Sequence, residues 1–442
     1  MSNRTASQTT MSVPSREVFP ILERNILVDG FHLVVDLERS HGSYLVDALE
    51  GKEYLDCYSY FASLPIGHNH PQLDDEEFRA ALLRAALSKP ANSDVYTREF
   101  AAFVQTFREV AAPPEFPHLF FIAGGALAVE NALKAAFDWK RQKNRAAGVD
   151  GGGDKVLHFR EAFHGRSGYT MSLTNTDPAK TRDFPQFDWP RVSNPKIRFP
   201  IDEAAVAGSE AGSVAEIEAA FDADPNGIAA IIIEPIQGEG GDNHFRPQFF
   251  RELRRIADER QAMLIYDEVQ TGVGMTGTMW AFQQLDAVPD LVAFGKKTQV
   301  CGIMSTRRID EVETNVFKVS SRINSTWGGN LVDMVRSARY LRIIDEDHLV
   351  DNAALVGEAF KRDLLAVEVE LDEVTNVRGR GLMLALDLPD GERRNQVRTR
   401  CWDLGLATLI CGPRSIRFRP CLTFSEEDAA KAVELLRRAL AV

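Results

Sequence analysis

Two apolar segments of this sequence stop at residues that could do covalent and acid–base chemistry. AMLIYDEVQTG ends its apolar run at Asp267-Glu268, and DLVAFGKK ends at Lys296-Lys297, with 29 residues from Asp267 to Lys296. That separation leaves room for one helix and a return strand, so the two side chains can lie close together at one edge of a sheet. A lysine that forms a Schiff base and an aspartate that faces a pyridinium nitrogen are the protein's contribution to pyridoxal phosphate chemistry.

Two further segments could complete a site for this cofactor. Gly124-Gly125-Ala126 precedes the helical pattern LAVENALKAAF, and a helix N-terminus offers free backbone amides to a phosphate group. Phe163, in AFHGR, follows another apolar run and could cover the face of the cofactor ring. Each feature alone is weak evidence, but the four together favour a pyridoxal phosphate site over a plain scaffold.

The elements that must position these residues follow from the hydrophobic pattern. Short apolar runs alternate with helical segments from His118 to Lys296, which predicts βαβ units around a mainly parallel sheet. Ligands of such a sheet lie beyond the carboxyl ends of its strands. We therefore predict an α/β fold with three parts: an N-terminal arm with small-domain strands (1–70), a large cofactor-binding domain (71–330), and a C-terminal α+β small domain (331–442).

Longer motifs resemble those of the class III, or omega, aminotransferases, which are fold type I pyridoxal-phosphate enzymes. The resemblance extends from about Val28 to the C-terminus. The matching motifs are GHNHP at 67–71, GGALAVENALK at 124–134, FHGR at 163–166, EPIQGEGG at 234–241, YDEVQTGVGMTG at 266–277 and IRFRP at 416–420. The resemblance implies pyridoxal 5'-phosphate as the cofactor and a homodimer with its sites at the subunit interface.

The family pattern also implies roles for individual residues. Lys296 would carry the cofactor, Asp267 would hold its ring nitrogen, and Thr326 of STWGG would reach the phosphate of the partner subunit's cofactor. The residues expected to bind the cofactor are Gly125, Ala126, Phe163, His164, Glu234, Asp267, Gln270, Lys296, Ser325 and Thr326. The residues expected to bind the substrate are Arg166, Glu239, Gln270, Asn324 and Arg417. No metal is expected.

Two departures from the common family pattern narrow the expected substrates. Gly124-Gly125-Ala126 stands where most members have Ser-Gly-Ser or Ser-Gly-Thr, and KKTQVCG replaces a glycine-rich stretch after the lysine. With AFHGRSGYT and NSTWGG, these departures resemble the lysine 6-aminotransferases of the family. That resemblance implies transfer of the ε-amino group of L-lysine to 2-oxoglutarate, giving 2-aminoadipate 6-semialdehyde and L-glutamate. Ornithine and 4-aminobutyrate are the alternative donors.

Lysine and 2-oxoglutarate carry different numbers of carboxylates, so the number of cationic groups that the site offers has to change between them. Guanidinium groups suit carboxylates, and Arg166 and Arg417 stand where the family places two such groups. Lysine would use Arg166 alone, and an unpaired buried Arg417 would then be costly. The resemblance implies that Glu239 pairs with Arg417 in the lysine half-reaction and swings away for 2-oxoglutarate. The glycines around Glu239 in QGEGG are consistent with such movement.

Several residues have alternative interpretations. Lys297 is the rival of Lys296, although the Gly–Lys order favours Lys296. His68 and His70 could be a metal pair, but GHNHP in this family is a structural turn and no carboxylate ligand is near in sequence. His164 is expected to position other groups rather than act as the base. Arg419 is interpreted as a surface or salt-bridge residue.

Two other classes of protein are not favoured by the sequence. GVGMTG at 272–277 matches GxGxxG, but it neither follows its strand directly nor has an acid about 20 residues on, so a nicotinamide-dependent oxidoreductase is not favoured. A non-enzymatic regulator with this fold would lose Lys296 or Asp267, and both are present. The aromatic segment around Trp189 could be packing or a wall of the substrate entrance.

Composition limits the remaining classes of function. The formal net charge of −13 gives no reason to expect nucleic acid binding. No uncharged apolar run approaches the roughly 20 residues of a membrane span, and the first residues lack the apolar core of a secretory signal. Five cysteines with no CxxC motif read as reduced thiols. We therefore expect a cytoplasmic enzyme that binds neither nucleic acid nor membranes.

Overall fold

The computed structural model describes residues 13–441, so 1–12 of the predicted N-terminal arm lie outside the described residues. The helices are α1 (Val18–Leu22), α2 (Ser59–Ala62), α3 (Glu76–Leu87), α4 (Arg98–Thr106), α5 (Gly125–Ala146), α6 (Gly168–Leu173), α7 (Glu203–Ala223), α8 (Pro247–Glu259), α9 (Leu331–Glu346), α10 (Leu349–Glu370), α11 (Gly391–Asp403) and α12 (Glu426–Leu440). Within the described part of the chain, no helix is long and apolar enough to span a membrane.

Fourteen short strands form three sheets in the described residues. They are β1 (Tyr44–Val46), β2 (Glu53–Asp56), β3 (His118–Ile122), β4 (Lys155–Phe159), β5 (Arg191–Val192), β6 (Ile228–Ile233), β7 (Met263–Asp267), β8 (Leu291–Phe294), β9 (Cys301–Ser305), β10 (Thr375–Arg380), β11 (Met383–Asp387), β12 (Leu406–Ala407), β13 (Leu409–Cys411) and β14 (Ser415–Phe418).

The largest sheet has seven strands in the order β3-β9-β8-β7-β6-β4-β5. Strand β9 pairs antiparallel with both of its neighbours, and the other pairs are parallel, so six strands run in one direction. The mainly parallel sheet expected from the sequence is therefore confirmed. Six carboxyl ends meet at one edge, and the segments that follow β3, β4, β6, β7 and β8 carry the predicted site.

Both faces of this sheet are buried, which explains why its strands are almost entirely apolar. Along β7, Leu264 and Tyr266 join one core cluster, and Met263 and Ile265 join the other. Helix α8 covers the first face, and the apolar side of α5 covers the second. Because side chains alternate along a strand, Asp267 at the end of β7 falls on the α5 side.

We propose that the domain boundaries lie near residues 70 and 330, as the sequence indicates. The composition of the two smaller sheets supports this proposal. One joins β1 and β2 with β12, and the other has the order β10-β11-β14-β13. Both draw only on residues before 70 and after 330. Helix α9, just after the proposed boundary, also contacts α3 and α4 of the middle segment.

Helix α7 was not expected from the sequence, because its residues show no clear helical stripe of large apolar side chains. The helix runs from Glu203 to Ala223 and buries few side chains, among them Val206, Ile217 and Phe221. Its N-cap is Asp202, whose side chain accepts the backbone N–H of Ala205 at 3.0 Å. Small residues and acidic residues make up most of the rest of the helix, so the hydrophobic pattern gives only a weak signal.

Candidate active site

A cavity of about 800 Å³ lies at the carboxyl ends of the parallel strands. This volume is in the range of small-molecule and cofactor sites. The predicted site residues that line it are Gly125, Ala126, Phe163, His164, Arg166, Glu234, Glu239, Asp267, Gln270 and Lys296. Five separate chain segments therefore bring most of the sequence-predicted site together.

Lys296 follows β8 after a single glycine and lines the cavity. Within the described chain, no hydrogen bond or ion pair engages its Nζ atom. Burial, with a further contribution from the positive charges of Arg417 and Arg419, lowers the pKa of Lys296 to about 8. A half-buried amine at the cavity wall with a depressed pKa is available as a nucleophile and as a proton carrier.

Lys297, unlike Lys296, is fully buried, and its side chain points away from the cavity. Its Nζ atom donates hydrogen bonds to the backbone carbonyls of Gln270 at 2.7 Å and Ala62 at 3.4 Å. It is not among the residues that line the cavity. The geometry therefore favours Lys296 over Lys297 as the reactive amine.

The two acids at the end of β7 face different surroundings. Asp267 lines the cavity, with Oδ2 lying 2.8 Å from Nδ1 of the buried His164. Glu268 instead accepts the backbone N–H groups of Ala281 and Phe282 at 3.0 and 2.8 Å, and so fixes the following short helical turn. Asp267 is therefore the acid available to a ligand, and Glu268 is structural.

Glu234, the first residue after β6, forms hydrogen bonds with two of the segments that line the cavity. Its carboxylate accepts the backbone N–H of Phe163 at 2.9 Å and that of Gly238 at 3.0 Å. Burial raises the pKa of Glu234 to about 7, with the charge of Asp267 also raising it and His164 opposing. This residue positions Phe163 and the loop that carries Glu239.

The N-terminus of α5 forms another wall of the cavity. Gly124 has φ of 103°, a value that favours glycine, and the helix begins at Gly125. Gly165, after β4, packs directly on this turn, because a Cβ atom there would lie 2.5 Å from Cβ of Ala126. The exposed amides of a helix start at this position suit an anionic group.

Arg417, on β14, is buried behind Glu239; it does not itself line the cavity, and it is only partly paired. Its Nη2 atom lies 3.1 Å from Oε2 of Glu239, whereas its Nε and Nη1 atoms are buried and find no hydrogen-bond partner among residues 13–441. The other carboxylate oxygen of Glu239 is paired with Lys180, a contact the sequence did not reveal. Glu239 thus bridges two cations, and Arg417 keeps two donors for an anionic ligand.

The remaining substrate candidates differ in their surroundings. Arg166 is exposed at the cavity, and within the described residues it makes no hydrogen bond or ion pair. Oε1 of Gln270 accepts a hydrogen bond from Nε of Arg419 at 3.1 Å. Arg419 is fully buried and paired with Asp242, so the surface alternative for Arg419 is wrong and the salt-bridge alternative is correct.

Three predicted residues lie away from the cavity of their own chain. Asn324 and Thr326 are exposed, Ser325 is half-buried, and none of them lines the cavity. Oγ of Ser325 accepts the backbone N–H of Gly328 at 3.1 Å, which shapes the loop. The loop is therefore ordered by its own contacts but does not complete the site within one chain.

The other open alternatives are also answered by the geometry. His68 is buried, with Nε2 lying 3.1 Å from Oδ2 of Asp56, which supports the structural-turn interpretation. Trp189 is buried and stacks on Phe187 at 4.9 Å, so it packs and does not line the cavity. Residues 272–277 open no helix, so they cannot form a dinucleotide-binding turn.

Sequence reasoning missed part of the cavity wall. Among the missed residues are Ser63, Gln299, Cys301, Asp333 and Arg336. Asp333 and Arg336 lie in the first turns of α9, where Nη1 of Arg336 donates to Oδ1 of Asp333 at 2.7 Å. The i, i+3 spacing reads as an ordinary surface ion pair, so the sequence carried no signal that they face a cavity.

The residues present fit pyridoxal phosphate. The start of α5 offers backbone amides for the phosphate, and Asp267 offers a carboxylate for the ring nitrogen. Lys296 offers an unpaired amine in the same cavity. Nε2 of the buried His164 also lacks a hydrogen-bond partner in the described structure. These donors and acceptors match the cofactor's anionic, cationic and aldehyde groups.

The chain is similar to known aminotransferases over nearly its whole length. The sequence model of the family Aminotransferase class-III matches residues 28–440. An L-lysine-epsilon aminotransferase of Mycobacterium tuberculosis is 53% identical over 98% of this chain and 96% of its own. A human mitochondrial 4-aminobutyrate aminotransferase is 33% identical, covering 91% of this chain and 83% of its own.

A solved structure gives the same picture. The lysine aminotransferase from M. tuberculosis in the internal aldimine form aligns with a TM-score of 0.96 and 52% identity, over 97% of this chain and 99% of that one. The expected fold and cofactor are therefore confirmed at the level of the family. With its cavity, its lysine and its family match in agreement, this chain belongs to the class III aminotransferases and depends on pyridoxal phosphate.

Proposed function

We propose that this enzyme transfers the ε-amino group of L-lysine to 2-oxoglutarate, giving 2-aminoadipate 6-semialdehyde and L-glutamate. The observation that carries the proposal is the difference between the two arginines. Arg166 is exposed and free of hydrogen bonds and ion pairs with the described residues, whereas Arg417 is buried and held by Glu239. Arg166 is thus free to bind the carboxylate of a monocarboxylate substrate, while the charge of Arg417 is already neutralised by Glu239.

Both substrates can use this arrangement. Lysine presents one carboxylate far from its reacting amine, and Arg166 can bind it while Glu239 neutralises Arg417. In 2-oxoglutarate the two carboxylates need both arginines, so Glu239 must release Arg417. Once Glu239 has moved, Nη2 of Arg417 is free as well, and together with Nε or Nη1 it can present a fork to a carboxylate. The higher identity to lysine than to 4-aminobutyrate aminotransferases supports the same donor.

The residues of the cavity then have distinct tasks. When bound, pyridoxal phosphate supplies an electron sink that stabilises negative charge on the carbon next to the reacting nitrogen. Asp267 holds the proton on the ring nitrogen, and His164 orients that carboxylate. Phe163 covers the ring face. Lys296 binds the cofactor and, once released, moves a proton with its amine, which the depressed pKa favours.

Gln270 and Glu234 complete the assignment. Because Oε1 of Gln270 accepts from Arg419, its amide N–H groups remain to donate to the phenolic oxygen side of the cofactor. Glu234 accepts two backbone N–H groups and so keeps Phe163 and the Glu239 loop in place. Asn324 is the remaining substrate-binding candidate, and it would act together with Ser325 and Thr326.

We further propose a homodimer that works in the cytoplasm. Asn324, Ser325 and Thr326 lie outside the cavity of their own chain, and the exposure of Thr326 suits a role in which it reaches the partner's cofactor phosphate. The five cysteines are all buried and free, as expected for thiols in a reducing compartment.

A donor panel tests the proposed function. Purified holoenzyme is incubated with 2-oxoglutarate and, in separate reactions, L-lysine, L-ornithine or 4-aminobutyrate, and L-glutamate formation is measured. We expect L-lysine to give the highest kcat/KM, with a cyclising semialdehyde as co-product. A higher kcat/KM for either other donor would replace lysine in the proposal. Glutamate formation by Lys296→Ala protein sets the background.

A further inference from the structure

The carboxylate of Glu239 is shared between two cations on different segments. Oε2 lies 3.1 Å from Nη2 of Arg417, and Oε1 is paired with Nζ of Lys180. Lys180 ends the short helical turn Pro178–Lys180, and its side chain is 24% exposed compared with 3% for Arg417. One partner of Glu239 is thus fixed in the core, and the other reaches in from the surface.

The backbone around Glu239 is held in place, so its side chain must account for any movement. The carbonyl oxygen of Glu239 accepts the backbone N–H of Gly412 at 2.9 Å. A Cβ atom on Gly240 would collide with the carbonyl oxygen of Glu161, so this glycine reflects close packing rather than a loose hinge. We therefore expect Glu239 to leave Arg417 by rotation of its side chain.

Lys180 is placed to receive that side chain. Its Nζ atom lies 5.4 Å from the ring centroid of Phe163, within the range of a cation–π contact. The backbone of Phe163 is in turn fixed by Glu234. The ammonium group therefore has a defined position at the cavity edge that does not depend on Arg417.

The two cations do not matter equally in the two positions of Glu239. While Glu239 pairs with Arg417, Lys180 adds a second cation to a carboxylate that is already neutralised, and the two cations repel each other. Among the described residues, Lys180 is the only cation besides Arg417 that pairs with Glu239. When Glu239 leaves Arg417, Lys180 is therefore the partner that remains. Loss of Lys180 should therefore raise the free energy of the released position more than that of the paired position.

We propose that Lys180 is a specificity-determining positioning residue: it holds the Glu239 carboxylate when this leaves Arg417 and thereby makes the site accessible to dicarboxylates. This inference rests on the proposed function, because it assumes that one substrate is a dicarboxylate. The proposal adds Lys180 as a third charged group to Glu239 and Arg417, the pair that is proposed to determine substrate choice. If the fraction of enzyme with Glu239 in the released position falls, the apparent affinity for a dicarboxylate falls in the same proportion.

Binding of glutarate, an unreactive dicarboxylate, to the holoenzyme tests the proposal by calorimetry. We expect Lys180→Gln to weaken glutarate binding by about two- to fivefold, the range for a partly exposed ion pair. The KM for 2-oxoglutarate should rise by a similar factor, while kcat/KM of the lysine half-reaction changes less than about twofold. Lys180→Arg, which keeps the positive charge, should bind glutarate as well as the wild-type enzyme does.

A matched control and a double variant separate this role from general effects. Lys155→Gln removes a comparable lysine, whose Nζ lies 2.9 Å from Asp224 at the opposite end of β4, and it should leave glutarate binding unchanged. In a Glu239→Gln background, Lys180→Gln should have no further effect, because the coupled partner is gone.

Three outcomes would overturn the proposal. Unchanged glutarate affinity in Lys180→Gln would remove Lys180 from substrate selection. An equal loss in both half-reactions, in Lys180→Gln and in Lys180→Met, would assign it a structural role. Full additivity with Glu239→Gln would break the link to Glu239. If wild-type enzyme consumes lysine but neither binds glutarate nor accepts 2-oxoglutarate, the proposed acceptor fails, which is a different result.

Discussion

Nδ1 of His164 lies 2.8 Å from Oδ2 of Asp267, and both side chains are buried at the carboxyl edge of the sheet. His164 itself is anchored, since its backbone N–H donates to Oγ1 of Thr174 at 3.0 Å. The other carboxylate oxygen of Asp267 accepts the backbone N–H of Val269 at 3.1 Å. The orientation of this acid is therefore set by its surroundings before any ligand binds.

We predict that removal of the Asp267 carboxylate lowers turnover by orders of magnitude, because the ring nitrogen then loses the anion that keeps it protonated. Asp267→Ala should still fold, with a lower Tm because the buried His164 and the backbone N–H of Val269 lose their acceptor. His164→Phe should have a smaller effect, about 10- to 100-fold, as expected for loss of one hydrogen bond to a charged group. Steady-state kinetics with lysine and 2-oxoglutarate measure both. Near-normal turnover of Asp267→Ala would remove this residue from the mechanism.

Lys296 is predicted to be the residue that carries the cofactor. After borohydride reduction of the holoenzyme, mass spectrometry of peptides should locate the fixed adduct on Lys296, and Lys296→Ala should give none. Lys297→Met should keep the adduct but lower the Tm, because the carbonyls of Gln270 and Ala62 lose a buried donor. An adduct on Lys297 of the wild-type protein would reverse the assignment.

The depressed pKa of Lys296 predicts how the apoenzyme takes up its cofactor. Burial favours the neutral amine, so the reactive form should increase as the pH rises through about 8, compared with about 10.4 for an exposed lysine. The rate of pyridoxal phosphate uptake by apoenzyme, followed by fluorescence between pH 6 and 9.5, should show that midpoint. A rate that keeps rising without levelling off up to pH 9.5 would contradict it.

Glu239→Ala is predicted to change donor preference rather than to lower all rates equally. Without Glu239, Arg417 stays unpaired near the amine-bearing chain of lysine, so the lysine half-reaction should slow. Glutamate can place its α-carboxylate on Arg417 and should suffer less or gain. We expect the ratio of the two to shift by about 1–3 kcal/mol. Single-turnover rates with each donor measure this ratio, and equal slowing would assign Glu239 to packing.

Thr326→Ala tests whether the exposed loop serves the partner subunit. The loss of one hydrogen bond to a phosphate should weaken pyridoxal phosphate binding about tenfold or more. Equilibrium dialysis measures the affinity, and sedimentation velocity should still show a dimer. A wild-type monomer that binds the cofactor fully would argue against a shared site.

Sequence patterns predicted the elements that reach the site better than the contacts inside it. The apolar runs that stop at Asp267 and Lys296 are visible because buried parallel strands leave continuous hydrophobic segments. Lys180 could not be predicted, because it is 59 residues from Glu239 and lies in a loop without periodic pattern. Asp333 and Arg336 were hidden for a similar reason, since tertiary packing alone turns the start of α9 towards the cavity.

The contact between Gly165 and Ala126 has a consequence for attempts to re-engineer this enzyme. There is no space between the turn that starts α5 and the segment that carries Phe163, because a single added methyl group at 165 would overlap Ala126. We therefore expect that a bulkier amine cannot be accommodated by moving the Phe163 segment towards α5, since that movement would displace the turn that starts α5. Room for larger donors has to come from the other side of the cavity, around Ser63 and Gln299.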